Sequence, residues 1–359
     1  MAAAKGKKSG KKRGLGEREM SDCLAAFVAE REGVPTEAVG VRNLRRLSGG
    51  ASRLLWSLDL EIAGGEGDPR VYELVLRQDP PGRVLPGGMQ LEFELLKAAA
   101  SQGVPVPEVH WCCPDASVLE SPFFVMERIG GEAIPRRLLR DDRYAEVRNG
   151  MAARLGEILA RIHRIDPDRP EVAGTLRRPP QGVSPATDEI DKLVAGYRLL
   201  AVEPHPVLDL AERWLRERTP QPRRLSFVHG DYRVGNFMFD ETDIRAVLDW
   251  ELAHAGDAVE DLAWVCVRAW RFGNDHLAAG GIGTREELVK AYEAEAGDPV
   301  DLDALRFWEV CGNFKLALVF ITQSRAFLDG AHATVELASL GRRTAEGEEE
   351  LLRLMEGEA

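Results

Sequence analysis

No apolar run in this sequence reaches the roughly 18 residues of a membrane-spanning helix. The opening MAAAKGKKSGKKRG is basic but has none of the apolar core of a secretion signal. Residues 1–16 therefore read as a solvated, disordered tail, with an arm for acidic partners as the other reading. No C-x-x-C pair occurs among Cys23, Cys112, Cys113, Cys266 and Cys311, and the adjacent Cys112 and Cys113 suit neither an ordinary disulfide nor a zinc knuckle. Reduced thiols in a cytoplasmic protein are expected. Positive charge is not in excess: the formal net charge is −12, which argues against nucleic acid as a partner of the body of the protein. No G-x-x-x-x-G-K-[ST] occurs, which excludes a P-loop nucleotide site. Internal repeats and low-complexity linkers are also missing.

The chain has 359 residues, too many for one ordinary core and suited to two lobes. Hydrophobic residues at 44% and charged residues at 30% are normal for a soluble globular protein. Met20, Leu24, Phe27 and Val28 fall at helical spacing, and Gly33 can end that helix. From Val41 to Gln78 the texture is that of strands, with Ala63–Pro69 as a hairpin turn. MQLEFELLKAAASQG reads as a helix closed by Gly103, and VPVPEVHWCC and SPFFVMERI as two more strands. One helix on a small antiparallel sheet is the simplest plan for residues 17–127. Beyond a hinge near Glu127–Gly131, residues 128–359 turn helical. Met151, Leu155, Leu159 and Ile162 share one helix face. Further helices are expected at about Thr187–Ala201 and Val207–Glu217, and in AVEDLAWVCVRAWRFG, REELVKAYEAEAG, LDALRFWEVCGNFKLALVFITQSRAFLDG and EEELLRLMEGEA.

One stretch among these helices carries chemistry. FVHGDYRVGN (Phe227–Asn236) sets an acid, Asp231, five residues before an amide, Asn236. The following NFMFD and IRAVLD can pair as a hairpin that ends at Asp249. That pairing could bring the Asn236 amide and the Asp249 carboxylate to one point. A hard cation such as Mg²⁺ takes oxygen ligands of this kind, with phosphate and water completing its shell. Asp231 would stand beside them as acceptor of a hydroxyl proton. Acid, amide and acid so delivered fit magnesium-dependent phosphoryl transfer. On HGD alone, a plain turn before a strand is the competing reading.

HGDYRVGN together with VLDWELAHAGDAVEDLA resembles the aminoglycoside phosphotransferase and choline kinase family, whose members phosphorylate small molecules on a kinase-like fold. The likeness covers about residues 17–340. It implies an α+β, bilobal protein-kinase-like fold: a small antiparallel sheet plus helix as nucleotide-binding lobe, and a mainly helical lobe with the catalytic loop and acceptor site. It also implies ATP and Mg²⁺ as cofactors. His229-Gly230-Asp231 stands where protein kinases have His-Arg-Asp, and Asp249-Trp250-Glu251 where they have Asp-Phe-Gly. No Ala-Pro-Glu follows, so a protein kinase is disfavoured. The resemblance assigns Ser48, Gly49, Gly50, Ala51 and Ser52 to a phosphate-approaching turn; two glycines in a hairpin are also simply a turn. It places a cation at Arg77 that pairs with Glu92, with Glu94 as competitor. Arginine departs from the usual lysine and differs in reach and geometry. Met126, Glu127 and Ile129 match the connection whose backbone holds adenine, unless this is a plain edge strand. His229 would brace the loop, His163 would pack or cap, and Asp257 and Asp261 would hold backbone amides.

The acceptor must be read elsewhere. Trp264, Arg268 and Arg271 fall at i, i+4 and i+7, as do Trp308, Cys311 and Lys315 at i, i+3 and i+7, each set on one helix face. If these faces line the cleft, they suit an anionic or nucleotide-bearing acceptor better than a polycationic aminoglycoside. The alternative is aromatic core with arginines reaching outward. The wording HGDYRVGNFMF, VLDWELAHAGD and EDLAWVCVRAWRFG looks most like the branch similar to kinase domains attached to some acyl-CoA dehydrogenases. That resemblance makes a hydroxyacyl-CoA the leading acceptor. Another small alcohol or sugar, or an aminoglycoside, stays open. So does a catalytically inactive nucleotide-binding module. Oligomeric state is not legible.

Overall fold

The structure, a computed structural model, describes residues 15–47, 53–64, 68–80, 88–330 and 334–357. The chain divides into two compact units. The first consists of Met1–Phe93 and Pro107–Arg128, and the second of Glu94–Val106 and Ile129–Ala359. The sequence-based division at 127/128 did not foresee that residues 94–106 group with the second unit. The turn at 48–52 lies outside the described residues, as does most of the tail.

In the first unit, β1 (Val39–Arg46), β2 (Leu54–Ile62), β3 (Arg70–Gln78), β4 (Val109–Cys113) and β5 (Phe123–Glu127) form one antiparallel sheet in the order β1-β2-β3-β5-β4. β3 is central, and its second half is buried throughout. The Glu17–Glu32 helix covers one face because Met20, Leu24, Phe27 and Val28 form its buried stripe. They meet Leu58, Leu60, Leu74, Leu76 and Phe123, and the Phe27 and Phe123 rings meet edge-on at 5.2 Å. Gly33 ends the helix at φ 68°, a left-handed conformation that glycine adopts without a Cβ clash. Cys112 and Cys113 both belong to β4, and no disulfide joins any of the five cysteines.

The second unit is mainly helical. Its principal helices are Met151–Ile162, Pro185–Leu200, Pro206–Glu217, Val259–Cys266, Arg285–Ala296, Leu302–Leu328 and Thr344–Glu356. Two small ribbons lie among them. β6 (Ser226–Val228) pairs with β9 (His254–Gly256), and β7 (Phe237–Phe239) pairs with β8 (Ile244–Val247), all antiparallel. One expected helix is shorter than its periodicity suggested. AVEDLAWVCVRAWRFG stops at Cys266, because Val267 is extended (φ −56°, ψ 130°), and Arg268–Arg271 forms a separate 3₁₀ turn. No helix among the described residues is long and apolar enough to cross a membrane.

The Met151–Ile162 and Arg285–Ala296 helices approach backbone to backbone at Gly156. A Cβ there would lie 2.3 Å from the Leu288 carbonyl oxygen and 2.9 Å from the Tyr292 nitrogen. Gly156→Ala should therefore destabilise the protein by about 1–3 kcal/mol, against a helix-propensity gain of about 1 kcal/mol. Urea unfolding measures this; a variant as stable as the parent would contradict the close packing.

Candidate active site

The loop after β6 is fixed by one carboxylate. Asp261, fully buried in the first turn of the Val259–Cys266 helix, accepts the His229 N–H on Oδ2 at 2.7 Å and the Gly230 N–H on Oδ1 at 2.9 Å. Oδ2 also meets His163 Nε2 at 3.1 Å, and His163 Nδ1 meets the Tyr292 hydroxyl at 2.9 Å. Burial pushes the Asp261 carboxyl up, but the hydrogen bond and charge of His163 and the loop contacts hold it below the ordinary value. Gly230 sits at φ 83°, and a Cβ there would be 2.5 Å from the Leu252 carbonyl oxygen, so only glycine fits this turn.

His229 is equally enclosed. Its Nε2–H donates to the Leu248 carbonyl at 3.0 Å, which leaves Nδ1 to accept the Asp231 N–H at 3.3 Å. Its ring packs on Trp250 and Tyr232, with centroids 4.7 and 5.8 Å away. Burial pushes its titration below the ordinary imidazole value.

Asp231 follows at once, with its side chain 18% exposed. Oδ1 accepts Trp264 Nε1–H at 2.8 Å and Arg233 Nε–H at 3.0 Å, and Oδ2 accepts an Asn236 Nδ2–H. A carboxylate offers about four lone-pair sites. Three are used, so the geometry leaves one on Oδ2. Asn236 Nδ2 also reaches the Asp231 carbonyl at 3.0 Å. With its nitrogen committed, the amide turns Oδ1 into its remaining ligand atom. The Leu248 N–H donates to the Asn236 carbonyl at 2.8 Å, continuing the β7–β8 pairing and setting Asp249 beside that strand end. Asp249 has φ 64° and ψ 60°, a left-handed conformation worth roughly 1–2 kcal/mol of strain in a residue other than glycine. Amide and carboxylate oxygens delivered together are the donor set a hard divalent cation takes.

In the first unit, Arg77 Nε meets Glu92 Oε1 at 2.9 Å, whereas Glu94 pairs with Lys97 on the surface. Arg53, which the sequence did not single out, also binds Glu92 and reaches Asp79 Oδ1 at 3.2 Å. Two arginines and two carboxylates thus form a buried set of zero net charge. Met126 and Glu127 end β5, with Ile129 two residues beyond.

Of the acceptor candidates, Trp264 and Lys315 reach the loop. Lys315 Nζ lies 4.8 Å from the Trp264 ring centroid, 3.4 Å from the Gly230 carbonyl and 3.8 Å from Glu260 Oε1. Burial would lower its titration, but Glu260 and Glu189 hold it above the ordinary value. Three other candidates are turned to different work. Arg268 pairs with Asp275, and Arg271 is buried and donates to the Cys266 carbonyl; the helix stop at Cys266 removes the shared face expected with Trp264. Trp308 is 2% exposed and donates its indole N–H to Asp257 Oδ2 at 2.9 Å, a core position instead of a lining one. Asp257 also accepts the Val259 N–H, and burial raises its carboxyl. Sequence reasoning passed over Arg233, although it lies inside the quoted motif, and Tyr292, whose hydroxyl backs His163.

The chain has recognisable relatives. The profile described as Phosphotransferase enzyme family matches residues 43–308. The chain is 27% identical to mouse acyl-CoA dehydrogenase family member 10 (79% of this chain, 28% of that one). It is 29% identical to the chicken family member 11 (84% and 38%). It therefore spans about a third of the length of these relatives. Among solved structures, a Ralstonia eutropha protein described as a candidate aminoglycoside phosphotransferase is 25% identical, with a TM-score of 0.74 over 94% of this chain and 98% of that one. A choline/ethanolamine kinase family protein from Mesorhizobium loti, 20% identical, has a TM-score of 0.57 over 94% and 98%. A thermostable APH(4)-Ia in complex with AMP-PNP and hygromycin B, 17% identical, has a TM-score of 0.56 over 92% and 98%. The fold is that of the kinase-like phosphotransferases.

Two buried groups should make the protein's stability fall with acid. His229 titrates lower when folded than when unfolded, so its contribution is intact above the ordinary value of 6.5 and is lost as pH falls below it. Asp261 is depressed, so its contribution holds above 3.8 and is lost as pH falls through its folded value. The unfolding free energy should thus fall below about pH 6.5, by at most about 1.4 kcal/mol per pH unit for His229. A His229→Gln variant should flatten the profile between about pH 5 and 6.5. Identical slopes in parent and variant would contradict the assignment.

Proposed function

Given that the chain belongs to the phosphotransferase enzyme family, we propose that it transfers the γ-phosphoryl group of ATP to a hydroxyl of a small molecule, with a hydroxyacyl-CoA as leading acceptor. The supporting observation is the Asp231 carboxylate, fixed by three donors with one lone-pair site left on Oδ2. That site orients the acceptor hydroxyl. The acceptor oxygen then bonds to the γ-phosphorus as the bond to the β-bridging oxygen breaks, ADP leaves, and the hydroxyl proton passes late to Asp231 and on to solvent. Asn236 keeps Asp231 oriented through Nδ2, and its Oδ1 and the Asp249 carboxylate would hold Mg²⁺. The ion, when bound, offsets charge on the phosphates. Arg77, tethered by Glu92, supplies a permanent cation for the nucleotide phosphates. The backbone of Met126, Glu127 and Ile129 would serve the same nucleotide, as would residues 48–52, which lie outside the described residues.

The surroundings of Asp231 favour the acceptor class. Arg233, Lys315 and Trp264 are cationic and aromatic, which suits an anionic acceptor and repels an aminoglycoside. The names of the acyl-CoA dehydrogenase relatives point the same way. A second reading, an inactive nucleotide-binding module, draws on Arg77 in place of lysine.

ADP release screened across hydroxyacyl-CoAs, sugars, amino alcohols and aminoglycosides should find turnover with a hydroxyacyl-CoA. Asp231→Asn should lower kcat by about 10²- to 10⁴-fold with ATP binding kept; near-normal turnover would reject the role of Asp231. For Asp249→Ala, calorimetry should find Mg-ATP affinity lost, and unchanged affinity would count against that ligand. ATP binding without turnover on any acceptor would favour the inactive module.

A further inference from the structure

Arg233 is placed to do more than brace Asp231. Its guanidinium lies over the Trp270 ring at 4.4 Å, so its plane is held by stacking. Nε donates to Asp231 Oδ1 at 3.0 Å, and the first terminal nitrogen donates weakly to the Val234 carbonyl at 3.4 Å. Among the described residues no acceptor reaches the second terminal nitrogen, and the side chain is 25% exposed. Gly235, at φ 109°, makes the room: a Cβ there would come within 3.0 Å of the first terminal nitrogen. Trp264 and Trp270 meet edge-on at 5.4 Å, so one indole anchors Asp231 and its neighbour carries Arg233. Trp270 also lines a cavity of about 420 Å³ with Phe272, Leu316, Phe320, Arg268 and Arg343.

Resting on the phosphotransferase reading, we propose that Arg233 is the specificity-determining residue of this site. Its unused N–H edge donates to a carbonyl or carboxylate oxygen of the acceptor, while the hydroxyl of the same molecule sits on Asp231. Because Arg233 and Asp231 are themselves hydrogen-bonded, the two ligand oxygens must lie within a few bonds of one another. The substrate class is then a hydroxy acid or its thioester, with hydroxyl and carbonyl close along one chain, and not a simple alcohol. The cavity beside Trp270, whose lining also includes Asp275, Glu346 and Glu349, receives the remainder of the molecule. A guanidinium is required because a planar, stacked cation holds one edge on Asp231 and offers another to the ligand in a fixed direction; a lysine ammonium has donors but neither the planar fork nor the stacking face.

The test compares 3-hydroxybutyryl-CoA, 3-hydroxybutyrate and 2-butanol, which keeps a hydroxyl but has no carbonyl. The parent should prefer the first two in kcat/KM, and Arg233→Met should lower that preference by about 10- to 100-fold, the range of one charge-assisted hydrogen bond. Arg233→Lys should not restore it, and Trp270→Leu, which removes the stacking plate, should lose it as well. An equal loss on all three acceptors would make Arg233 a mere brace and overturn the proposal. Tryptophan fluorescence titration with 3-hydroxybutyryl-CoA gives a readout without turnover. Weaker binding in Arg233→Met supports the proposal, whereas equal affinity, or no binding to the parent, overturns it. Binding that depends on Arg233 with no phosphate transferred would reject the phosphotransferase reading alone.

Discussion

The candidate site hangs on the Asp261 carboxylate. It gathers two consecutive backbone N–H groups and one imidazole in a fully buried place, where each would otherwise be an unpaired polar group. The turn at Gly230 is tight enough to exclude any side chain, so the loop cannot relax outward when these bonds are made. His229 then passes the constraint on, since one ring nitrogen holds the start of Asp231 and the other holds Leu248, the residue after β8. The Gly156 contact does similar work at longer range. It sets the helix that carries Tyr292 directly against the one that ends at His163.

Around Asp231 the same economy is applied to charge. The carboxylate is exposed enough to meet a ligand, yet three of its lone-pair sites are already occupied. Fixing it in advance lowers the reorganisation needed when a hydroxyl arrives, the condition under which a positioned acid or base is effective. The donors differ in kind. Trp264 and Asn236 are neutral and directional, whereas Arg233 brings a charge spread over the Trp270 ring. Lys315 adds a second cation over Trp264, balanced by Glu260, which itself meets His254. The result is a half-buried carboxylate in a cationic, aromatic setting, and that setting bears on the proposed acceptor where the motif does not.

In the first unit the buried quartet Arg53, Asp79, Arg77 and Glu92 follows the rule that charges leave water only in balanced sets. Such a set contributes little net stability but fixes geometry strongly, because removing one member strands the others. Arg77 thus comes from the centre of a neutral cluster, with its orientation set by Glu92 while its charge is kept.

By itself the sequence determined what is local. The five-residue step from Asp231 to Asn236, the β7–β8 hairpin (which closes at Val247, two residues short of the expected Asp249), the buried stripe of the Glu17–Glu32 helix and the stop at Gly33 are matters of spacing and backbone preference along a few consecutive residues. The pairing of Arg77 with Glu92 was readable through a family pattern; its extension to Arg53, 39 residues before Glu92, was not. The three-dimensional structure decided everything that depends on residues far apart in the chain meeting in space. Trp264 reaches Asp231 across 33 positions and Asp261 reaches His229 across 32, while Trp308 is drawn into the core by Asp257. Helical periodicity put Arg268 and Arg271 beside Trp264, but the extended Val267 ends the helix, and nearby carbonyl and carboxylate partners claim both arginines. Periodicity reports which residues would share a face if a helix continued. Whether it continues, and which charge finds which partner, is settled by packing and by the cost of leaving buried polar groups unpaired.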